Sequence, residues 1–257
     1  MCRDRKVSKA GALLSLLVLG WSGAQAAQVA VSYDFLSDTA VEIDPGAGID
    51  QRGNVIEFTD NGISVQVSAW ADSGVGSINQ TATVVQMGFG LGSCNVHDGT
   101  LAKCTDGMNA ANKSSIDNGG GYDWVLLLFP ENVDLGSFTL TPAGDKHMDV
   151  TYWAGTISDS SAISGLTYAE LDILFGDRAT ADFSKSTSPQ TLFVVDDLGM
   201  PVTGNAILIG ASLTRGADRF AISGMSVTAV PLPAAVWQML SALGVLLIRV
   251  RKTCTAT

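Results

Sequence analysis

The chain reads as an all-β protein: an antiparallel β-sandwich, jelly-roll-like, with one short helix, followed by a C-terminal transmembrane helix. Three observations lead there. Apolar residues recur with period two, clusters of Gly, Asn, Asp and Ser separate the periodic stretches, and a charge-free apolar run lies near the end.

Residues 1–26 have the three zones of a secretory signal. Arg3, Arg5, Lys6 and Lys9 are a basic start, and Ala10 to Trp21 an apolar stretch shorter than the roughly 20 residues of a comfortable span. Ala24-Gln25-Ala26 is the small-x-small pattern at which a signal peptidase cuts.

The body, 27–229, is expected to be one domain. Ile63, Val65, Val67 and Ala69 alternate with Ser64, Gln66 and Ser68, a half-buried strand. Asp60-Asn61-Gly62 before it, and Val55 to Phe58 before that, predict a hairpin. Trp124 to Phe129 is a continuous apolar run ended by Pro130, which predicts a central strand buried on both faces. Phe138 and Leu140, then Met148, Val150 and Tyr152, then Leu192 to Val195, Ala206 to Ile209, and Phe220 with Ile222 supply further strands. Thr167-Tyr168-Ala169-Glu170 fits a capping box, with Leu171, Leu174 and Phe175 as the apolar face of a helix that Gly176 stops.

Charge narrows the functions open to this body. The whole chain carries −10, but both ends are basic: without them, eight cations face 24 acids, a net −16. That excludes a nucleic-acid binder, which needs a cationic stripe against phosphate. It also keeps an exported protein soluble and repels anionic polymers unless divalent cations bridge them.

Residues 230–252 have three parts: Val230-Pro231-Leu232-Pro233, a charge-free helix over 234–248, and a basic stop at 249–252 with Arg249, Arg251 and Lys252. The two prolines keep the backbone extended and delay the helix start. The cations hold the far end in the cytoplasm. This order resembles the PEP-CTERM sorting signal of exported proteins of Gram-negative bacteria, with Leu232 in place of the usual acidic residue. The resemblance implies an inner-membrane intermediate, recognition by an exosortase, cleavage near the proline motif, and release to the cell surface or extracellular matrix. Such proteins accompany exopolysaccharide production and biofilm. Ser68-Ala69-Trp70-Ala71, Gly90-Leu91-Gly92, Ser115 to Asn118, Tyr122 to Phe129 and Val133 to Leu140 are similar, in that order, to one group of these surface proteins, whose biochemical activity is unassigned.

Cys94 and Cys104 remain once Cys2 and Cys254 are set aside with the two ends, and an even pair in an oxidising compartment predicts a disulfide. Zinc is the competitor, with only His97 nearby. Between Asn95 and Asp123, the hard-oxygen side chains Asp98, Asp106, Asn109, Asn112, Asp117, Asn118 and Asp123 are ordinary turn material without an Asp-x-Asp-x-Asp-Gly loop, so no cofactor is expected; calcium is the one candidate, with Asp117, Asn118 and Asp123 as its ligands. Trp70 and Trp153, ahead of Trp124, are candidates for stacking on sugar rings, against a core role. His97 and His147 lack a Gly-x-Ser-x-Gly elbow to work with. Asp196-Asp197 and Glu131/Asp134 are glycosidase candidates only if they face each other across a cleft. Met87 to Gly92 lacks the spacing of a nucleotide loop and reads as strand-connecting glycines. The resulting expectation is a non-enzymatic surface protein, with a carbohydrate-binding module, calcium-dependent or not, as first alternative and a secreted glycan hydrolase or lyase as second.

Overall fold

The computed structural model describes residues 28–230, apart from 49, 73–75, 99, 101, 103, 105–114, 120, 145–146, 184 and 215–217. The signal with Ala24 and Ala26 lies outside the described residues. So does the C-terminal segment from Pro231 onward, with Leu232, Pro233, the expected span at 234–248, Arg249, Arg251 and Lys252. Among the described residues no helix is long and apolar enough to cross a membrane. Val29–Val230 form one compact unit.

That unit is an antiparallel β-sandwich with one short α-helix. Its strands are β1 (Ala30–Asp34), β2 (Val41–Asp44), β3 (Val55–Asp60), β4 (Ile63–Asp72), β5 (Thr83–Met87), β6 (Gly90–Cys94) and β7 (Ile116–Asp117). They continue with β8 (Tyr122–Pro142), β9 (Val150–Gly155), β10 (Ala179–Ala181), β11 (Gln190–Phe193), β12 (Val202–Ala211) and β13 (Arg219–Ala229); the helix α1 is Tyr168–Phe175.

The predicted hairpin is β3–β4. Asn61 and Gly62 take φ of 49° and 80°, the left-handed pair a two-residue turn of this twist needs. Met87 to Gly92 is the β5–β6 hairpin, where Gly90 (φ 127°) lies so close to the Ile222 carbonyl that a Cβ would not fit.

β8 organises the rest. Its first part, Tyr122 to Leu128, lies between β4 and β12; its second, Val133 to Pro142, lies between β13 on one edge and β11 with the start of β12 on the other. One strand therefore links the ladders on both sides into a single hydrogen-bonded network of thirteen strands. Pro130 does not end it, contrary to expectation. Pairing to β4 stops at Leu128, pairing to β13 starts at Val133, and β12 skips between Gly204 and Ala206, so no ladder bond is asked of the proline.

Alternation along β8 divides two packed layers. Val125, Leu127 and Phe129 enter the main core between the sheets, with Phe58, Val67, Ile207, Ile209, Phe220 and Ile222. Trp124 and Leu126 enter a second layer with Trp70, Trp153, Leu171 and Leu208 on the outer face. Covering that second layer are a 3-10 turn at Ser160–Ile163 and α1. α1 starts with the predicted capping box: Glu170 N–H donates to the Thr167 hydroxyl and Thr167 N–H to the Glu170 carboxylate (3.3 and 2.8 Å). Its buried face is narrower than expected, since Leu171 is buried, Phe175 half-buried and Leu174 exposed.

This second layer corrects one expectation. Trp70 and Trp153 are each 1% exposed, so neither presents a face to a sugar. Trp70 donates its indole N–H to Ser68 Oγ and Trp153 to Asp172 Oδ1 (2.9 and 2.8 Å), and Trp153 also packs on Trp124, Tyr168 and the Arg178 guanidinium. They are core residues because α1 and the turn before it cover this face.

Candidate functional site at the disulfide end

The ends of six strands meet at one edge of the sandwich: β6, β7 and β12 with the starts of β8, β9 and β13. β6 is buried along its whole length, and Cys94 at its end forms the disulfide with Cys104, at a Cα–Cα distance of 6.1 Å. The cysteine expectation is met; Val85 and Met87 pack on the bridge.

Beside the disulfide, Asp123 is fully buried. Its Oδ1 accepts from Asn95 Nδ2 and Ser93 Oγ (2.7 and 3.1 Å), and its Oδ2 from Asp117 N–H (3.4 Å). Asp117 accepts from Gly119 N–H at 2.8 Å and pairs with Arg219 at 3.6 Å. Asn118 turns the other way, donating to Asp218 Oδ2 and Ser212 C=O (2.9 and 3.1 Å) and accepting from Asp218 N–H at 3.0 Å. Asp218 in turn accepts from Asp149 N–H (3.3 Å), and buried Asp149 from Phe183 N–H (2.7 Å). His147 bridges to Asp218 through the backbone and accepts Arg219 N–H at its carbonyl.

Electrostatics follow from this burial. The Asp123 carboxyl titrates well above the usual carboxylate range, because it is removed from water and because Asp117 and Asp98 face it, while its Asn95 and Ser93 bonds pull the other way. Asp117 is also raised by burial, against the Gly119 N–H and Arg219. Asp218 is raised by burial, against its Asn118 bond; the Asp149 charge raises it further, while the Asp149 N–H and His147 oppose.

Of the three expected calcium ligands, the structure brings Asp117 and Asp123 together and turns the Asn118 amide away. Both Asp123 oxygens are occupied by protein donors, and among the described residues no three His, Cys, Asp or Glu groups converge on a metal position. Asp106, Asn109 and Asn112 lie outside the described residues. Asp149, Asp218 and Arg219 complete the cluster without having stood out in the sequence. Asp149 and the Asp218-Arg219 pair sit at strand starts, tens of residues from the groups they bind.

The other chemistry candidates are dispersed. Asp196 is held by its own turn, accepting from Leu198 and Met200 N–H at 2.9 Å. Asp134 accepts from Thr203 Oγ1 at 2.6 Å on an exposed strand position. Glu131 lines a surface cavity with Phe129, Pro130, Asn132 and Val230, in which it is the one carboxylate; glycoside hydrolysis needs two. His97 N–H donates to Asn95 Oδ1 (2.6 Å), placing it in the turn after β6.

No protein-family model and no curated protein matches the chain. Among solved structures, it is similar to the F5/8 type C domain of a Bacteroides fragilis protein, at 14% identity over 43% of this chain and 66% of that one, with a TM-score of 0.25. A likeness of that size carries no argument about ligand or activity.

Proposed function

We propose that the chain is a non-enzymatic surface or extracellular-matrix protein of a Gram-negative bacterium, exported by its signal and processed by an exosortase. In this reading the helix over 234–248 holds it transiently in the inner membrane, and the released body associates with exopolysaccharide or biofilm. The observation that carries the proposal is the order of Pro231-Leu232-Pro233, an apolar run and Arg249, Arg251 and Lys252. A buried disulfide supports it, since such bonds persist in oxidising compartments. The way the body ends supports it too. Ala229 N–H donates to Val29 C=O at 2.9 Å as β1 and β13 close on each other, so a cut beyond Val230 leaves every strand pair among the described residues intact. The jelly-roll layout belongs to the same proposal, and pairing of chain-distant strands such as β1 with β13 favours it.

The test is the intact mass of the protein recovered from the matrix of its host. The expected chain starts near Ala27 and ends around Pro231 to Pro233. A chain that still carries Ala234 to Lys252 would overturn exosortase processing. Selective retention of the body on a glycan array would replace the structural role with the carbohydrate-binding alternative. Turnover of a matrix polysaccharide would replace it with the hydrolase or lyase.

A further inference from the structure

We propose that the outer edge of β11 is a self-association surface, on which a second copy of this chain pairs antiparallel to the first. β11 is hydrogen-bonded to β8 on one side, and among the described residues no strand joins its other side. The register shows which backbone groups face outward. Val194 N–H donates to Gly136 C=O at 3.0 Å, toward β8, so by the period of two Leu192 and Gln190 also point inward. Thr191 and Phe193 therefore turn their N–H and C=O groups to the open side. The Thr191 and Thr139 hydroxyls meet at 3.1 Å across the strands, as expected of the narrower, non-hydrogen-bonded pairs.

Three other edges are guarded. β2 carries Glu42 and Asp44, and β10 is flanked by Arg178 and Asp182, the charged side chains that deter edge pairing. On β5, Asn54 seals the outer side by accepting from Val84 N–H and donating to Val84 C=O (2.8 and 3.1 Å). On β11 no such guard exists: residues 186–195 contain no Asp, Glu, Lys or Arg, in a body of net charge −16. The edge strand itself therefore places no like charge opposite its counterpart in a second copy; the nearest acids, Asp196 and Asp197, lie beyond it in the hairpin. The edge continues into a hairpin that exposes Phe193 (68%), Val195 (42%), Leu198 (85%) and Met200 (60%). Asp196 fixes that hairpin through the bonds to Leu198 and Met200, so its apolar groups are held outward.

A two-fold axis at Leu192 satisfies both outward residues at once. It sets Thr191 opposite Phe193 of the second copy in two symmetry-related hydrogen-bonded pairs, and Pro189, with no N–H to offer, marks the end of that ladder. The identical edge on each copy makes the pairing isologous and closed at two.

Sedimentation of the full chain in a mild detergent tests this, with Thr191→Pro and Thr191→Lys beside the wild type. Proline at 191 removes an outward N–H and leaves the β8 ladder whole; lysine adds a charge at an exposed position. The expected result is a wild-type dimer and two monomeric variants of unchanged circular dichroism at the same concentration. Should Thr191→Pro disturb the fold, Thr191→Lys decides. A wild-type monomer at every concentration overturns the proposal. So does a dimer that survives the lysine, because association then lies elsewhere, such as the apolar tail.

Discussion

Gly210 lies opposite Trp124 in the β8–β12 pair, and the six-membered ring of Trp124 fills the place a Cβ at 210 would take. The glycine is there for the indole, which packs on the rings of Trp153 and Tyr168. Gly210→Ala should lower stability by about 1–3 kcal/mol, the usual cost of overpacking a filled core. Chemical denaturation of the body would show it, and an unchanged midpoint would mean that Trp124 has room to move. The same indole shows where residue type stops being informative. That Trp124 is core was legible from the apolar run around it. For Trp70 and Trp153 core was the commoner reading but sugar stacking stayed open, because an aromatic on a strand does not say which face is covered. The cover comes from Ile163, Leu171 and their neighbours, which join this layer from later in the chain.

Among the elements, the ones with local causes were readable. The β3–β4 turn needs two residues that tolerate positive φ, and Asn61-Gly62 supplies them; α1 needs a capping box, and Thr167 with Glu170 supplies it. β8 was readable only to Pro130, since the gap in pairing that admits the proline is made by β4, β12 and β13 together. β7, only two residues long, has no periodicity to detect, yet it places Asp117 against Asp123. What keeps β7 and the end of β6 in place is expected to include the disulfide, which closes a loop over a sequence separation of 10. Loop entropy gives such a closure about 2–3 kcal/mol. Denaturation with and without reductant should differ by that amount, and a coincident pair of curves would show that the bridge adds nothing to the hydrogen bonds around it.

Taken as one object, the body is acidic, and its least ordinary property is where the acids sit. Asp117, Asp123, Asp149 and Asp218 are all buried at the disulfide end, with Arg219 the cation paired there. Asp117 and Asp123 could be grouped from the sequence because they share one stretch rich in Gly, Asn and Asp, six residues apart; nothing there pointed to Asp149 and Asp218, which only the register of β9, β12 and β13 brings near. The arrangement has a consequence for pH. Asp117, Asp123 and Asp218 have folded pKa values above their unfolded ones, so the folded state binds protons more tightly. Their ionisation therefore costs stability at neutral pH, and the cost is relieved as pH falls through the raised values toward the ordinary carboxylate pKa of about 4. Protonated Asp123 keeps its contacts, because the Ser93 hydroxyl can turn from donor to acceptor. Asp34, Asp159 and Glu170, lowered by hydrogen bonds at exposed positions, act in the opposite sense, and only once pH drops below that same range. Melting temperature should thus rise from neutral to mildly acid pH before falling in stronger acid. Asp123→Asn, which can never ionise, should flatten the rise even though its amide NH2 meets a donor where a carboxylate oxygen had accepted. A wild-type protein whose melting temperature falls steadily on acidification, with the same profile in Asp123→Asn, would show that this cluster is ionised and satisfied as it stands.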